Sequence, residues 1–304
     1  MWVDEDGIIT VVGDGGAIFS GSQEGSWKNF NRGIRIDLNA VIKMSPDNYI
    51  AAGDEGIILN SKDENNWVRL KSPFKENIRT ILKMKEKGFL VAGDGGKVSL
   101  YRDNHWQKYP DGLENIYDVR EGNDNKLYIA GDKGYLAYFD EEGWKNIDTG
   151  ISGRIRAIYD DPNGIVYAVG DGGNIIKKDG MNIEKMETFI DRNLFDIDGI
   201  GPETMFVVGD QGTVLKFFNG KWINQNFPTG DTLRTVSVLN NDIIVVAGDN
   251  GAIFVLHKDR WKRAEKITGN RLRDISVKDQ NTLLIAGDNG SILRLSIKLN
   301  PNGD

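Results

Sequence analysis

The chain has 304 residues, with 37 glycines, seven prolines and no cysteine, and its 45 acidic and 38 basic side chains give a formal net charge of −7. Without cysteine there is no disulfide framework, thiolate metal site or cysteine nucleophile, and net acidity argues against a nucleic-acid partner, which needs concentrated Lys and Arg. A hydrophobic content of 39% suits a globular domain, and no apolar run approaches the roughly 18 to 20 residues of a spanning helix, so no membrane insertion is expected.

Residues 1–6 are acidic and lack the basic and apolar regions of a secretory signal, which leads us to expect a cytoplasmic or particle-associated protein. The apolar run that follows ends in Gly13-Asp14-Gly15-Gly16, and this Gly-Asp-x-Gly pattern then recurs along the chain. Its aspartates are Asp14, Asp54, Asp94, Asp132, Asp171, Asp210, Asp249 and Asp288, spaced by 38 to 40 residues. Sixteen of the 37 glycines belong to these tetrapeptides, so the glycine excess over an average of about 7% marks a tandem array.

Within each unit a short run rich in β-branched residues precedes the motif, as in Phe89-Leu90-Val91-Ala92 or Ile244-Val245-Val246-Ala247. Such runs are too short for helices and read as strands buried on both faces. After the motif comes a more alternating stretch, for example Thr213-Val214-Leu215-Lys216-Phe217-Phe218, the pattern of a half-buried strand. The tetrapeptide is therefore a turn between antiparallel strands, with glycine expected at φ > 0 and the aspartate expected to bond its own backbone two residues on.

A further strand is predicted upstream, as at Ile155-Arg156-Ala157-Ile158. Another is predicted downstream, where a tryptophan stands 12 or 13 residues after the motif aspartate: Trp27, Trp67, Trp106, Trp144, Trp222 and Trp261. The fifth unit has Ile183 there and the eighth has Asn300. Four short strands per repeat of this length predict an all-β fold, a β-propeller of eight four-stranded blades. Residues 1–298 form its one domain, residues 1–6 its first innermost strand, and 299–304 a tail that leaves the last blade three-stranded. A seven-bladed ring with one irregular unit is the alternative.

The stretches Val91-Ala92-Gly93-Asp94-Gly95-Gly96-Lys97-Val98 and Val246-Ala247-Gly248-Asp249-Asn250-Gly251-Ala252-Ile253 resemble the repeats of the photosystem II stability/assembly-factor family of propellers and related YVTN/BNR-like repeats. They are also similar to repeats in phage tail proteins. The sequence departs from the Asp-box form Ser-x-Asp-x-Gly-x-Thr-Trp, its nearest approach being Ser61-Lys62-Asp63-Glu64-Asn65-Asn66-Trp67. Eight near-equal units with no catalytic insertion and no ligand cluster point to a non-enzymatic protein-binding scaffold, and the resemblance implies that it is either a component of a phage tail or tail-like particle or an assembly factor for a larger complex.

In such a blade the motif turn and the loop entering the innermost strand share one face of the disc. The residues 15 before the motif aspartates are Asn39, Arg79, Tyr117, Arg156, Phe195, Arg234 and Arg273. The arginines are expected either to pair with motif aspartates or to form, with Tyr117 and Phe195 as apolar anchors, a channel-mouth site for an acidic segment of another protein. Glycan binding, or a sialidase-like reaction at clustered arginines, is the competing reading. Hydrolysis would need a tyrosine nucleophile, and Tyr117 is the tyrosine on that face. No cofactor or metal is expected: His105 and His257 lack partners at ligand spacing. The Gly-x-Gly matches lead into strands and not helices.

Overall fold

The computed structural model describes all residues except 4–6, 23–26, 31–32, 46–47, 62–65, 113, 141, 226 and 298–304. Eight separate antiparallel sheets follow one another along the chain, seven of four strands and a last one of three. This is the eight-bladed propeller, so the seven-bladed alternative falls away. The first blade opens on a short strand, Trp2–Val3, followed by Ile8–Gly13, Ala17–Ser22 and Lys28–Asn29. A complete blade such as the seventh runs Leu233–Val238, Ile243–Gly248, Ile253–His257 and Arg260–Arg263, counting from Asp249. For brevity each blade takes the ordinal of its motif aspartate, so blade seven carries Asp249 and blade eight Asp288.

The second strands are buried along their length, and their alternation divides them between two neighbours. In Ile243–Gly248, Ile244 and Val246 pack with Phe206, Val208 and Val214 of the preceding blade, whereas Val245 and Ala247 pack with Leu272, Leu283 and Ile285 of the following one. At about 1.5–3 kcal/mol for each fully buried Val or Ile, every blade contributes to two inter-blade cores, and none has a core of its own. The conserved-register tryptophans extend these cores outward. Trp106 donates to the Lys71 carbonyl at 2.7 Å, Trp144 to the Pro110 carbonyl at 2.6 Å, and Trp222 approaches the Met186 sulfur at 3.3 Å. Each reaches the blade before its own, as packing residues do.

First strands of successive blades touch, which makes them the innermost ring. Their free edges are held by side chains of the preceding blade: Asp118 accepts from the Ile158 N–H at 2.8 Å, Asp196 from Val236 at 3.0 Å and Asp198 from Val238 at 2.8 Å. The last and first blades meet the same way, with the Met1 ammonium 2.8 Å from Asp274 and Ser276 donating to the Met1 carbonyl.

The motif turn corrects two expectations. Its first glycine is extended, as at Gly53 with φ −167°. It is glycine because an added Cβ would overlap the carbonyl oxygen of the residue 16 before it, Asp37 for Gly53 and Thr232 for Gly248, whose acceptor the motif aspartate N–H uses. The x position is left-handed whatever its identity, with Glu55, Lys133 and Gln211 at φ 53–54°. Only the last glycine serves the φ > 0 role foreseen for both. The aspartate carboxylates turn to other side chains, Asp54 to Asn39 and Asp249 to Arg234, and the Asp54 and Asp249 backbone carbonyls close the turns. The carboxylates are thereby left free to look inward.

A guanidinium cluster at the channel mouth

The carboxylates reach the residues 15 earlier, at the start of the same blade's innermost strand. Asn39 donates to Asp54 at 2.8 Å, Tyr117 to Asp132 at 3.1 Å and Arg156 to Asp171 at 2.7 Å. Arg79 holds Asp94 through Nε and Nη2 at 2.8 and 2.9 Å, and Arg234 holds Asp249 likewise at 2.5 and 2.9 Å. Arg273 pairs with Asp288. Phe195 has no such bond to give. It lies between two guanidinium groups, 4.9 Å from that of Arg156 and 5.3 Å from that of Arg234.

A second position, 17 before the aspartate, went unnoticed in the sequence. Asn77, Asn115 and Asn193 each donate to their own motif aspartate and accept the N–H of the x residue in the preceding turn, at 2.8 to 3.2 Å. These amides tie each turn to the next. Where the position is arginine, the link becomes ionic: Arg154 bonds Asp132 of the preceding blade at 2.9 Å, and Arg271 lies 3.2 Å from Asp249. The Arg154 guanidinium also stands 4.3 Å over the Tyr117 ring. A column of Asp, Asn, Asn, Arg, Asn, Thr and Arg at Asp37, Asn77, Asn115, Arg154, Asn193, Thr232 and Arg271 was the available signal.

Together Tyr117, Arg154, Arg156, Phe195, Arg234 and Arg273 line one open depression of 260 Å³. Five of the six expected binding residues meet there; Arg79 does not line it, and Arg154 does. Asp210, whose own blade offers Phe195 at this place, is held by Asn193 and Thr232.

The electrostatics of the rim are those of ion pairs. The hydrogen bond from Arg234 holds the Asp249 carboxyl below its ordinary range. Burial opposes ionisation of Asp132, and the bonds from Arg154, Asn115 and Tyr117 outweigh it, again lowering the carboxyl. Burial, first among the causes, raises the Tyr117 phenol, which makes it a poorer nucleophile for a glycosidase. Among the described residues no cluster of His, Asp or Glu has metal-ligating geometry, and no helix is long and apolar enough to cross a membrane.

Unused donors give the depression its chemistry. Among the described residues Arg154, Arg156 and Arg273 engage carboxylates through Nε, and no protein acceptor meets their terminal amino groups. A guanidinium fixed at Nε, with its fork free, is pre-organised for a carboxylate or another planar anion. A second unforeseen group lies on the innermost strands, Asp118, Arg120, Asp196 and Asp198, where Arg120 is 3.5 Å from Asp118 and the charges of all three carboxylates act on its guanidinium. Burial raises the Asp196 carboxyl to about 7.

No family model matches the chain, and no curated protein does. Solved structures of the same fold do. YCF48 bound to a D1 peptide is 13% identical, with 86% of this chain and 92% of that chain covered and a TM-score of 0.66. The computationally designed Ika8 protein is also 13% identical, over 98% and 95% of the two chains, with a TM-score of 0.79. A streptogramin B lyase is 11% identical over 86% and 93%, with a TM-score of 0.69. The resemblance to photosystem II stability/assembly-factor propellers expected from the repeats therefore stands at the level of fold, with YCF48 among the similar structures, and this chain is a β-propeller.

Proposed function

We propose that the protein is a non-enzymatic binding scaffold whose channel mouth receives an acidic segment of a partner protein. The observation that carries this reading is the set of terminal guanidinium groups left without protein acceptors around two aromatic rings in one depression. Each charge-assisted hydrogen bond to a bound carboxylate contributes roughly 1.5–3 kcal/mol, and Tyr117 and Phe195 add apolar contact beside it. The YCF48 structure with its bound peptide is a precedent for peptide binding on this fold, while the lyase shows that the fold alone does not choose between binding and catalysis.

The raised Tyr117 phenol makes glycan binding without hydrolysis the stronger form of the sugar reading. No phage tail protein is among the structures named above, and an assembly role and a particle-borne role would use the same mouth.

Titration with a poly-glutamate decamer tests the proposal. The wild-type chain binds, and Arg156→Ala and Arg273→Ala each weaken binding about tenfold or more, as loss of a charged hydrogen bond requires. Unchanged affinity in both variants, or loss of binding only in proportion to a fall in Tm, refutes the site. Affinity capture from the native source with mass spectrometry then names the partner.

A further inference from the structure

A groove of 820 Å³ opens at the outer rim between the fifth and sixth blades. Its walls are the outermost strands of the two blades, Asn182–Met186 and Lys221–Asn224, and the start of the connection that follows the first of them. Met186 and Trp222 form the floor, where the indole N–H meets the Met186 sulfur at 3.3 Å, and both are buried. Glu184, Glu187 and Phe189 line the walls and are exposed.

Phe189 is 88% exposed and left-handed, with φ 56°. Its place in the blade is fixed by the residue after it, whose carbonyl meets the last motif glycine: Ile34 for Gly16, Ile151 for Gly134 and Ile190 for Gly173. Before Ile34 and Ile151 stand Gly33 at φ 87° and Gly150 at φ 61°, and glycine adopts that conformation freely. The fifth blade instead holds a bulky aromatic there, in a conformation unfavourable to it and with its ring in solvent. Neither backbone geometry nor burial in the folded chain accounts for this choice. An exposed apolar residue held under strain marks a contact surface.

The groove is also acidic. Met186 packs with Leu215 and Phe217 of the sixth blade, so alternation along the strand turns Glu184 to that side and Lys185 to the fourth blade. There Ile176, opposite Lys185 in the sheet, packs with Tyr128 and Leu136. Trp222 faces the fifth blade, and its neighbour Lys221 therefore points away. Lys177, opposite Glu184 in the sheet, lies 4.0 Å from Asp179. At the place of Glu184 the third, fourth and seventh blades have Gln107, Lys145 and Lys262, so the carboxylate is not a need of the blade. Tyr167 packs under the floor, its ring centroid 5.9 Å from that of Phe217 and 6.4 Å from that of Trp222. Burial first, and then the charges of Asp161, Asp179, Glu184 and Glu203, raise its phenol to about 12.

We propose that this groove receives a basic segment of a partner protein, with lysine or arginine against Glu184 and Glu187 and a large apolar side chain between Phe189 and Trp222. Opposite charge selects the segment and the aromatic lip anchors it. The site shares no lining residue with the channel mouth, carries the opposite charge, and stands whether or not the mouth binds acidic peptides.

The test uses the full chain and two labelled octapeptides, Ser-Lys-Leu-Trp-Lys-Leu-Lys-Ser and the same sequence with glutamine for each lysine, read by fluorescence anisotropy. Wild type prefers the lysine peptide by about fivefold, and Glu184→Lys combined with Glu187→Lys abolishes the preference. Glu86→Lys combined with Glu142→Lys changes net charge equally at exposed acids elsewhere and leaves the preference intact. Phe189→Gly weakens both peptides about tenfold with Tm unchanged or raised, because glycine suits the left-handed backbone. Arg156→Ala leaves these affinities unchanged. The proposal is overturned by equal wild-type affinity for the two peptides, by the same loss of preference in both charge variants, or by full affinity in Phe189→Gly. It is equally overturned by no binding up to about 1 mM, or by a dimer in sedimentation that the peptide dissociates and Phe189→Gly abolishes, which would give the groove to a second copy.

Discussion

The eight motif turns and the six side chains that line the depression inside them lie on one face and share carboxylates, yet a substitution meets different surroundings in each. In the turns, backbone of the same blade at the first glycine and of the loop leading to the next blade at the last passes so close that the glycines admit no Cβ at most copies. In the depression the same geometrical place holds Asn, Arg, Tyr or Phe from blade to blade. The ring of turns therefore tolerates almost no variation, and the places just inside it tolerate a great deal. A repeat protein can thus change the chemistry of its mouth without touching the joints that hold it closed.

The largest effect that would sharpen this contrast is expected at Gly212, which has φ 68° and an added Cβ that would overlap the Thr229 carbonyl. Gly212→Ala should cost about 3–4 kcal/mol in urea unfolding. Gly290, with φ 70° and nothing near an added Cβ, should cost only the roughly 1–2 kcal/mol of left-handed backbone. Equal losses at the two sites would mean that close approach of the neighbouring blade does not constrain the turn.

Asp249→Ala should follow, at roughly 2–3 kcal/mol, since it strips Arg234 and Arg271 of a shared partner. Its folded carboxyl is lowered by the Arg234 bond, so its contribution is present above the unfolded value of about 3.9 and lost as pH falls through the folded value. The variant should accordingly show a flatter decline below about pH 4. A decline as steep as wild type would remove Asp249 from the joints.

The channel group should respond with the opposite sign. Burial raises the Asp196 carboxyl to about 7, so its contribution is complete below the unfolded value of about 3.9 and is lost as pH rises through the folded one. Asp196→Asn should flatten the loss of stability between about pH 4 and pH 7, measured by thermal melts across that range. An unchanged slope would show that Asp196 ionises as an ordinary carboxyl.

The smallest change in stability is expected inside the depression. Phe195→Ala removes two guanidinium contacts and should cost about 0.5–1 kcal/mol each at most, while weakening poly-glutamate binding several-fold. A large fall in Tm with binding intact would make Phe195 a joint and not a mouth residue.

The propeller was legible because its signals are local. β-branched runs, alternating runs and a glycine turn recur at one spacing, and each reports on a few adjacent residues. The candidate mouth was legible only in part. The column 15 residues before the aspartates belongs to the same sheet and could be read off strand pairing. Arg154 and Arg271, 17 before, bond aspartates of the preceding blade, 22 residues earlier in sequence, a distance that marks no strand register. Asp196 and Asp198 did leave a trace, two acids alternating with Ile197 in an otherwise apolar strand pattern, but their acceptor role depends on which backbone edge lies beside them.

What the sequence by itself determined is the repeat, its strands and the place of each turn, because hydrophobic periodicity and glycine are consequences of local backbone geometry. Only the tertiary structure decided between eight blades and seven, where the motif carboxylates point, and which arginines share a depression. Those depend on how neighbouring blades abut, and a carboxylate released from capping its own turn takes whatever donor the adjoining blade brings within about 3 Å.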